Sequence, residues 1–250
     1  MLKFVSVSLL ATLLMYIGGL RGWIIFIVYS LLLVLALFGS ALFLFIRGSL
    51  ITERKVAVMV GSDTDLKQCA DGLDYLKLLH STGCIRVYGV YTNSIHRNMF
   101  TVLFNLIMLW LMRVDAIIVV AGWAAHLPGM CEAFYRYVLR DVRIRIIPVA
   151  ADADPTKPHD AKVIKRNLAA IYSISEVPKH QMILSNGKDV CFGSAGFLQA
   201  CHMIIEIDDL EPVVLPEKKS AFKRTITEVP IIADSFRKDE KSKTILTLVK

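Results

Sequence analysis

Residues 1–50 contain no Asp or Glu and only three basic residues, Lys3, Arg21 and Arg47. Two runs inside this stretch, Phe4 to Leu20 and Trp23 to Ile46, are almost wholly apolar. Each approaches or exceeds the roughly 17 to 25 residues that a helix needs to cross the hydrocarbon core of a bilayer. This constrains the chain more than any other feature, because such segments cannot stay in water. Gly18, Gly19, Arg21 and Gly22 separate the runs, so the sequence predicts two transmembrane helices, a two-helix transmembrane hairpin over residues 1–50. Lys3 followed by an apolar run is also what a cleaved signal peptide shows. However, no small-x-small cleavage site precedes Trp23, and the second run is itself a full span. Lys3 on one flank and Arg47, Arg54 and Lys55 on the other outnumber Arg21, so the positive-inside rule places both termini and the main domain in the cytoplasm of a multi-pass membrane protein.

The five cysteines, Cys69, Cys84, Cys131, Cys191 and Cys201, fit that compartment. None stands in a C-x-x-C pair or near a histidine at zinc spacing, so the expectation is free, buried thiols and no metal. The formal charge of +7 is concentrated less than it first suggests. Residues 51–250 hold 26 Lys and Arg against 22 Asp and Glu, too mild a balance to indicate nucleic-acid binding.

From Lys55 onward, short β-rich runs alternate with helical stretches, the pattern of βαβ units and a parallel sheet. The strands are expected at Val56 to Val60, Ile85 to Tyr91, Ala116 to Val120 and Ile144 to Ala150, with a fifth around Met182 to Leu184. Helices are expected at Asp65 to His80, Met99 to Arg113, Pro128 to Leu139, Ala161 to Ser173 and Ala195 to Ile207. The helix "MFTVLFNLIMLWLMR" is apolar nearly all round and too short to span at about 1.5 Å per residue. It is therefore expected at a subunit contact or against the membrane hairpin, with a central core helix as the other possibility. Residues 209–250 are charged and punctuated by proline, and read as a C-terminal appendage in which Ala221 to Val229 alternates like an added strand.

Three loops fall at the carboxyl ends of successive strands: "GSDTD" from Gly61, "TNSIHRN" from Thr92 and "AGWAAHLPGM" from Ala121. Strand ends are where open α/β sheets hold their ligands. Gly61 permits a tight turn, and Ser62, Thr64 and Asp65 stand where a helix begins, suited either to a phosphate or ribose or to plain N-capping. Ser94, His96 and Arg97 combine a hydroxyl, an imidazole and a guanidinium that can grip a phosphate in bidentate fashion. His126 lies among the small residues Ala124 and Ala125, with Pro128 expected at the first position of the next helix. A buried histidine bonded to a carbonyl would satisfy the same pattern.

Together the three loops resemble those of the aminoimidazole ribonucleotide carboxylase or N-carboxyaminoimidazole ribonucleotide mutase family, the PurE class of purine synthesis. That family carries Gly-Ser-x-Ser-Asp, Ser-Ala-His-Arg and Gly-Gly-Ala-Ala-His-Leu-Pro-Gly-Met loops in this order. The likeness covers residues 55–208, and the seven residues Ala124 to Met130 match in succession. It implies an α/β domain with a three-layer, flavodoxin-like parallel sheet that assembles as an octamer and moves a carboxyl group on an aminoimidazole ribonucleotide without cofactors. It further implies that His96 is the catalytic acid and base, that Ser62, Asp65, Ser94 and Arg97 hold the phosphoribosyl part, and that Ala124 to His126 surround the base.

The chain departs from the family at Trp123, where the family has glycine, at Asn98-Met99 in place of Thr-Pro, and in lacking the Gln-Met-Pro-x-Gly closing loop. Nothing in purine synthesis calls for a membrane hairpin. The sequence thus predicts a membrane-anchored, oligomeric sensor or effector that binds a phosphoribosyl or nucleotide-like molecule, with a membrane-tethered carboxylase or mutase as the alternative.

Overall fold

Beyond the opening Arg54, Lys55 and Arg145, the runs Arg54–Val60, Ala116–Ala121 and Arg145–Ala150 are apolar without alternation and buried almost throughout, as strands covered on both faces must be. In the computed structural model they are β1, β3 and β4 of a five-stranded sheet, and every pairing is parallel. Residues 2–153, 160–177, 180–207 and 212–216 are described, with side chains from Gly22 onward. The chain divides into units Met1–Val214 and Leu215–Lys250, and the sheet lies in the first. In chain order its elements are α1 (Leu2–Leu50), β1, α2 (Asp63–Leu66), a 3-10 turn at Lys67–Cys69, α3 (Ala70–Ser81), β2 (Ile85–Thr92), α4 (Met99–Leu111), β3, α5 (His126–Ala133), a π-turn at Phe134–Val138, β4, α6 (Ala161–Ser175), β5 (Cys191–Phe192) and α7 (Gly193–Met203).

The sheet order is β2-β1-β3-β4-β5, the flavodoxin-like arrangement, whose connections reverse direction between β1 and β3. Alternate residues of the central strands feed two cores. Ala57, Met59, Ile117, Val119 and Ile146 pack with α4, α5 and α6. Val58, Val60, Ile118, Val120 and Val149 pack on the opposite face with Leu76 of α3 and Phe197 and Cys201 of α7. This is a three-layer α/β architecture, built on the parallel sheet expected from the alternation. Close approach of α3 to α7 depends on Gly72, where an added Cβ would collide with the Phe197 ring.

Three expectations are corrected. First, α1 is one unbroken helix through Gly18, Gly19 and Gly22, where a hairpin turn was expected. A glycine weakens a helix by only about 1 kcal/mol relative to alanine, and with no proline or acidic residue nearby nothing local ends the hydrogen-bond ladder. The stretch Gly22–Leu50 is long and apolar enough to cross a membrane. Its Ser40 and Ser49 hydroxyls donate back to the Ala36 and Phe45 carbonyls, which satisfies them without water. Second, the fifth strand is Cys191–Phe192 rather than Met182 to Leu184. Ile183 does donate to the Ile146 carbonyl at 2.8 Å, but no ladder follows. Third, α5 begins at His126, two residues before Pro128; a first-turn amide has no intrahelical acceptor, so proline is tolerated at more than one position there.

Helix α4 buries one face, Val102, Leu106 and Leu109, in the core. Phe100 and Phe104 on its other side are 76% and 60% exposed. Its carboxyl end meets the end of α1: a Cβ on Gly48 would collide with the Met112 carbonyl, and the Arg113 guanidinium lies 4.9 Å over the Phe45 ring. The strand-like stretch Ala221 to Val229 lies outside the described residues.

Candidate functional site

The switch point between β1 and β3 is bridged beyond the ladder by Gly61, whose N–H donates to the Val120 carbonyl at 2.8 Å. Ser62 then caps α2: its Oγ accepts from the Asp65 N–H at 3.2 Å and shares a hydrogen with Thr64 Oγ1 at 2.7 Å. The capping role is therefore present in the structure, and it turns both hydroxyls towards the same opening. The Asp65 carboxylate lies between two glycines, since a Cβ on Gly61 or Gly122 would come within 3.4 or 3.3 Å of its oxygens. Burial raises its pKa above the usual carboxylate value, an effect opposed by hydrogen bonds from Ser62 and the Gly122 backbone.

After β2 the chain makes a tight turn in which the Ser94 carbonyl accepts from the N–H groups of Arg97 and Asn98 at 3.2 and 2.8 Å. That turn leaves His96 and Arg97 exposed at the sheet end. After β3, Ala125 N–H returns to the Gly122 carbonyl at 3.1 Å. Trp123 inside this turn has φ +55°, a left-handed conformation natural for the glycine of the motif and rare for a bulky residue. His126 follows as the first residue of α5, and its Nδ1 is 3.1 Å from His96 Nε2, with the rings nearly perpendicular at 81°. One of these nitrogens donates and the other accepts, so the two loops share a proton.

A fourth loop, after β4, completes the wall. The Gln68 side chain accepts from the Asp152 N–H at 2.9 Å and donates to its carbonyl at 2.7 Å, while Asn167 donates to the Asp152 carboxylate at 3.0 Å. These buried amides fix the loop against α6, where the Arg166 guanidinium lies 4.1 Å over the Trp123 ring. The four loops and Ser194 enclose an open cavity of about 850 Å³, within the range of small-molecule sites.

Ser62, Thr64, Asp65, Ser94, His96, Arg97, Ala124, Ala125 and His126 all line this one cavity. Sequence reading overlooked Gln68, Asp152 and Ser194, which line it as well. Asp152 follows the fourth strand, so the strand-end rule that located the other loops would have found it; nothing local distinguishes Gln68 or Ser194. Among the described residues no group of three His, Cys, Asp or Glu side chains is placed to hold a metal ion. Cys69, Cys131, Cys191 and Cys201 are buried and Cys84 is exposed. Burial pushes the Cys69 and Cys131 thiols up to about 12 and Cys191 to about 11, which makes them poor nucleophiles.

No protein-family model and no curated protein matches this chain. Among solved structures, a point variant of PurE2 from Treponema denticola matches with a TM-score of 0.38 and 13% identity over 75% of this chain and 99% of its own. The PurE structure from the same organism matches with a TM-score of 0.37, the same identity and the same coverage. Similarity at that level carries no weight for function, and the site stands on its own geometry.

Proposed function

We propose that the cavity binds a phosphoribosyl or nucleotide-like ligand, and that the chain is a membrane-anchored, oligomeric sensor or effector built on that binding. The observation that carries this reading is the convergence, at the switch point of the sheet, of the Ser62, Thr64 and Ser94 side chains, the Arg97 guanidinium and the hydrogen-bonded His96–His126 pair. Arg97 and the hydroxyls supply donors for a phosphate, and Asp65 supplies an acceptor for ribose hydroxyls. Ala124 and Ala125 leave room for a ring to approach the backbone. Gly22–Leu50 anchors the domain, with Arg47, Arg54 and Lys55 holding it on the cytoplasmic side. The exposed apolar face of α4 is assigned to a subunit contact, consistent with the octamer that the loop motifs imply.

A second reading, a membrane-tethered carboxylase or mutase, is favoured by the histidine pair. In it His96 would exchange a proton with the carbon that gains or loses the carboxyl group, and His126 would return or receive that proton through the 3.1 Å contact. The bulk of Trp123 in the loop beside His126 favours binding over turnover.

The test uses the detergent-extracted full chain and aminoimidazole ribonucleotide. The ligand should raise the melting temperature of the wild type, and Arg97→Ala should weaken binding roughly ten- to hundredfold through loss of a charge-assisted contact of about 1.5 to 3 kcal/mol. Wild-type turnover that disappears in His96→Asn, with binding retained, would replace the sensor reading by the enzyme reading. Absence of any binding would remove both.

A further inference from the structure

Trp123 combines three properties that a merely space-filling residue does not need. Its backbone is left-handed, at φ +55°, where a glycine would sit without strain and a β-carbon is crowded. Its indole is 58% exposed, although large aromatic side chains ordinarily gain by burial. Yet the ring is held, because the Arg166 guanidinium lies 4.1 Å from its centroid, and Arg166 Nε is buried with no hydrogen-bond partner to draw it elsewhere. The cavity is lined by Trp123 and not by Arg166. The indole is thus backed by a cation that lies outside the cavity lining, on a residue that borders the ligand space.

We propose that Trp123 is a stacking platform, propped by Arg166, that selects ligands carrying a planar heteroaromatic ring. This rests on the reading of the cavity as a nucleotide-like site and adds the part of the ligand that the polar residues do not address. Arg97 and the hydroxyls recognise phosphate and sugar, which a purine nucleotide, an aminoimidazole ribonucleotide and ribose 5-phosphate share. Only the first two offer a π-face. Stacking tolerates differences in ring identity because every base has such a face, so the platform selects for a ring without choosing between rings. Trp123 stands in the loop that also starts α5, three residues before His126, so the ring of the ligand would lie near the histidine pair while its phosphate reaches Arg97.

The experiment measures binding of AMP, aminoimidazole ribonucleotide and ribose 5-phosphate to the full chain by calorimetry, for the wild type and for Trp123→Leu, Trp123→Phe, Trp123→Gly and Arg166→Gln. The expected result is tighter binding of the better of the two nucleotides than of ribose 5-phosphate by the wild type, and a loss of about tenfold or more for that nucleotide in Trp123→Leu, with ribose 5-phosphate unchanged. Trp123→Phe should retain most of the selectivity, and Arg166→Gln should lose part of it. Trp123→Gly should raise the melting temperature of the unliganded protein while losing selectivity; a residue kept only for structure would lower it. Equal affinity of the wild type for all three ligands, or selectivity undiminished in Trp123→Leu, would overturn the platform and leave the phosphoribosyl reading standing. Failure of all three to bind the wild type would overturn both.

Discussion

The carboxyl of Asp65 shows what a ligand site asks of a single residue. Its burial between Gly61 and Gly122 raises its pKa, so the folded state holds a proton more readily than the unfolded state does. The associated stability is present in full below the unfolded value near 3.8 and is lost as pH rises through the higher folded value. At pH 7 the charged carboxylate therefore costs stability, and Asp65→Asn should raise the melting temperature of the ligand-free protein by the equivalent of about 1 kcal/mol or less. Thermal melts of both proteins from pH 4 to 7 would check this, and a lower melting point for the variant throughout would refute it. The residue types of the site were legible in the sequence because hydroxyls, an arginine and histidines are chemically conspicuous at strand ends. The pairing of His96 with His126 was not, since 30 residues of chain separate them and only the parallel alignment of β2, β1 and β3 brings their loops together.

Helix α4 marks the limit of periodicity at the scale of the element. With apolar residues on every side, its pattern has no polar face from which to read orientation. The structure assigns Val102, Leu106 and Leu109 to the core and leaves Phe100 and Phe104 outside. Two substitutions of the same kind should consequently behave differently. Leu106→Asp buries a charge in the core and should cost on the order of 4 kcal/mol or more, abolishing folded protein. Phe104→Asp should leave the domain folded, with an unchanged circular dichroism spectrum, but reduce the oligomer seen by light scattering in detergent. A Phe104→Asp protein with the wild-type mass would remove α4 from the proposed subunit contact. The short β5 strand was illegible for a related reason: two residues carry no period, and Cys191 and Phe192 are extended because the edge of β4 offers them partners at Val149 and Ala150.

For the whole molecule, the long apolar helix and the sheet domain make separate demands that meet where Lys55 Nζ donates to the Gly48 carbonyl at 3.1 Å. A continuous helix over Leu2–Leu50 is about 74 Å long at 1.5 Å per residue, more than twice the hydrocarbon thickness of a bilayer. One crossing through Gly22–Leu50 should then leave a tag ahead of Leu2 on the opposite side from a reporter fused after Lys250, the latter being cytoplasmic. Protease protection in sealed vesicles would check this, and finding both on the cytoplasmic side would restore a turn near Gly18 to Gly22. The sequence by itself determined the long apolar N-terminal stretch, the alternating α/β order, the central strands and the three motif loops. These are local properties, written in the spacing of apolar residues and in the small residues that turns require. Only the tertiary structure decided the buried face of α4, the fourth loop held by Gln68 and Asn167, and the placing of Arg166 behind Trp123. Each of these depends on which distant surfaces meet, and a sequence pattern reports how much of a segment is apolar without saying what will cover it.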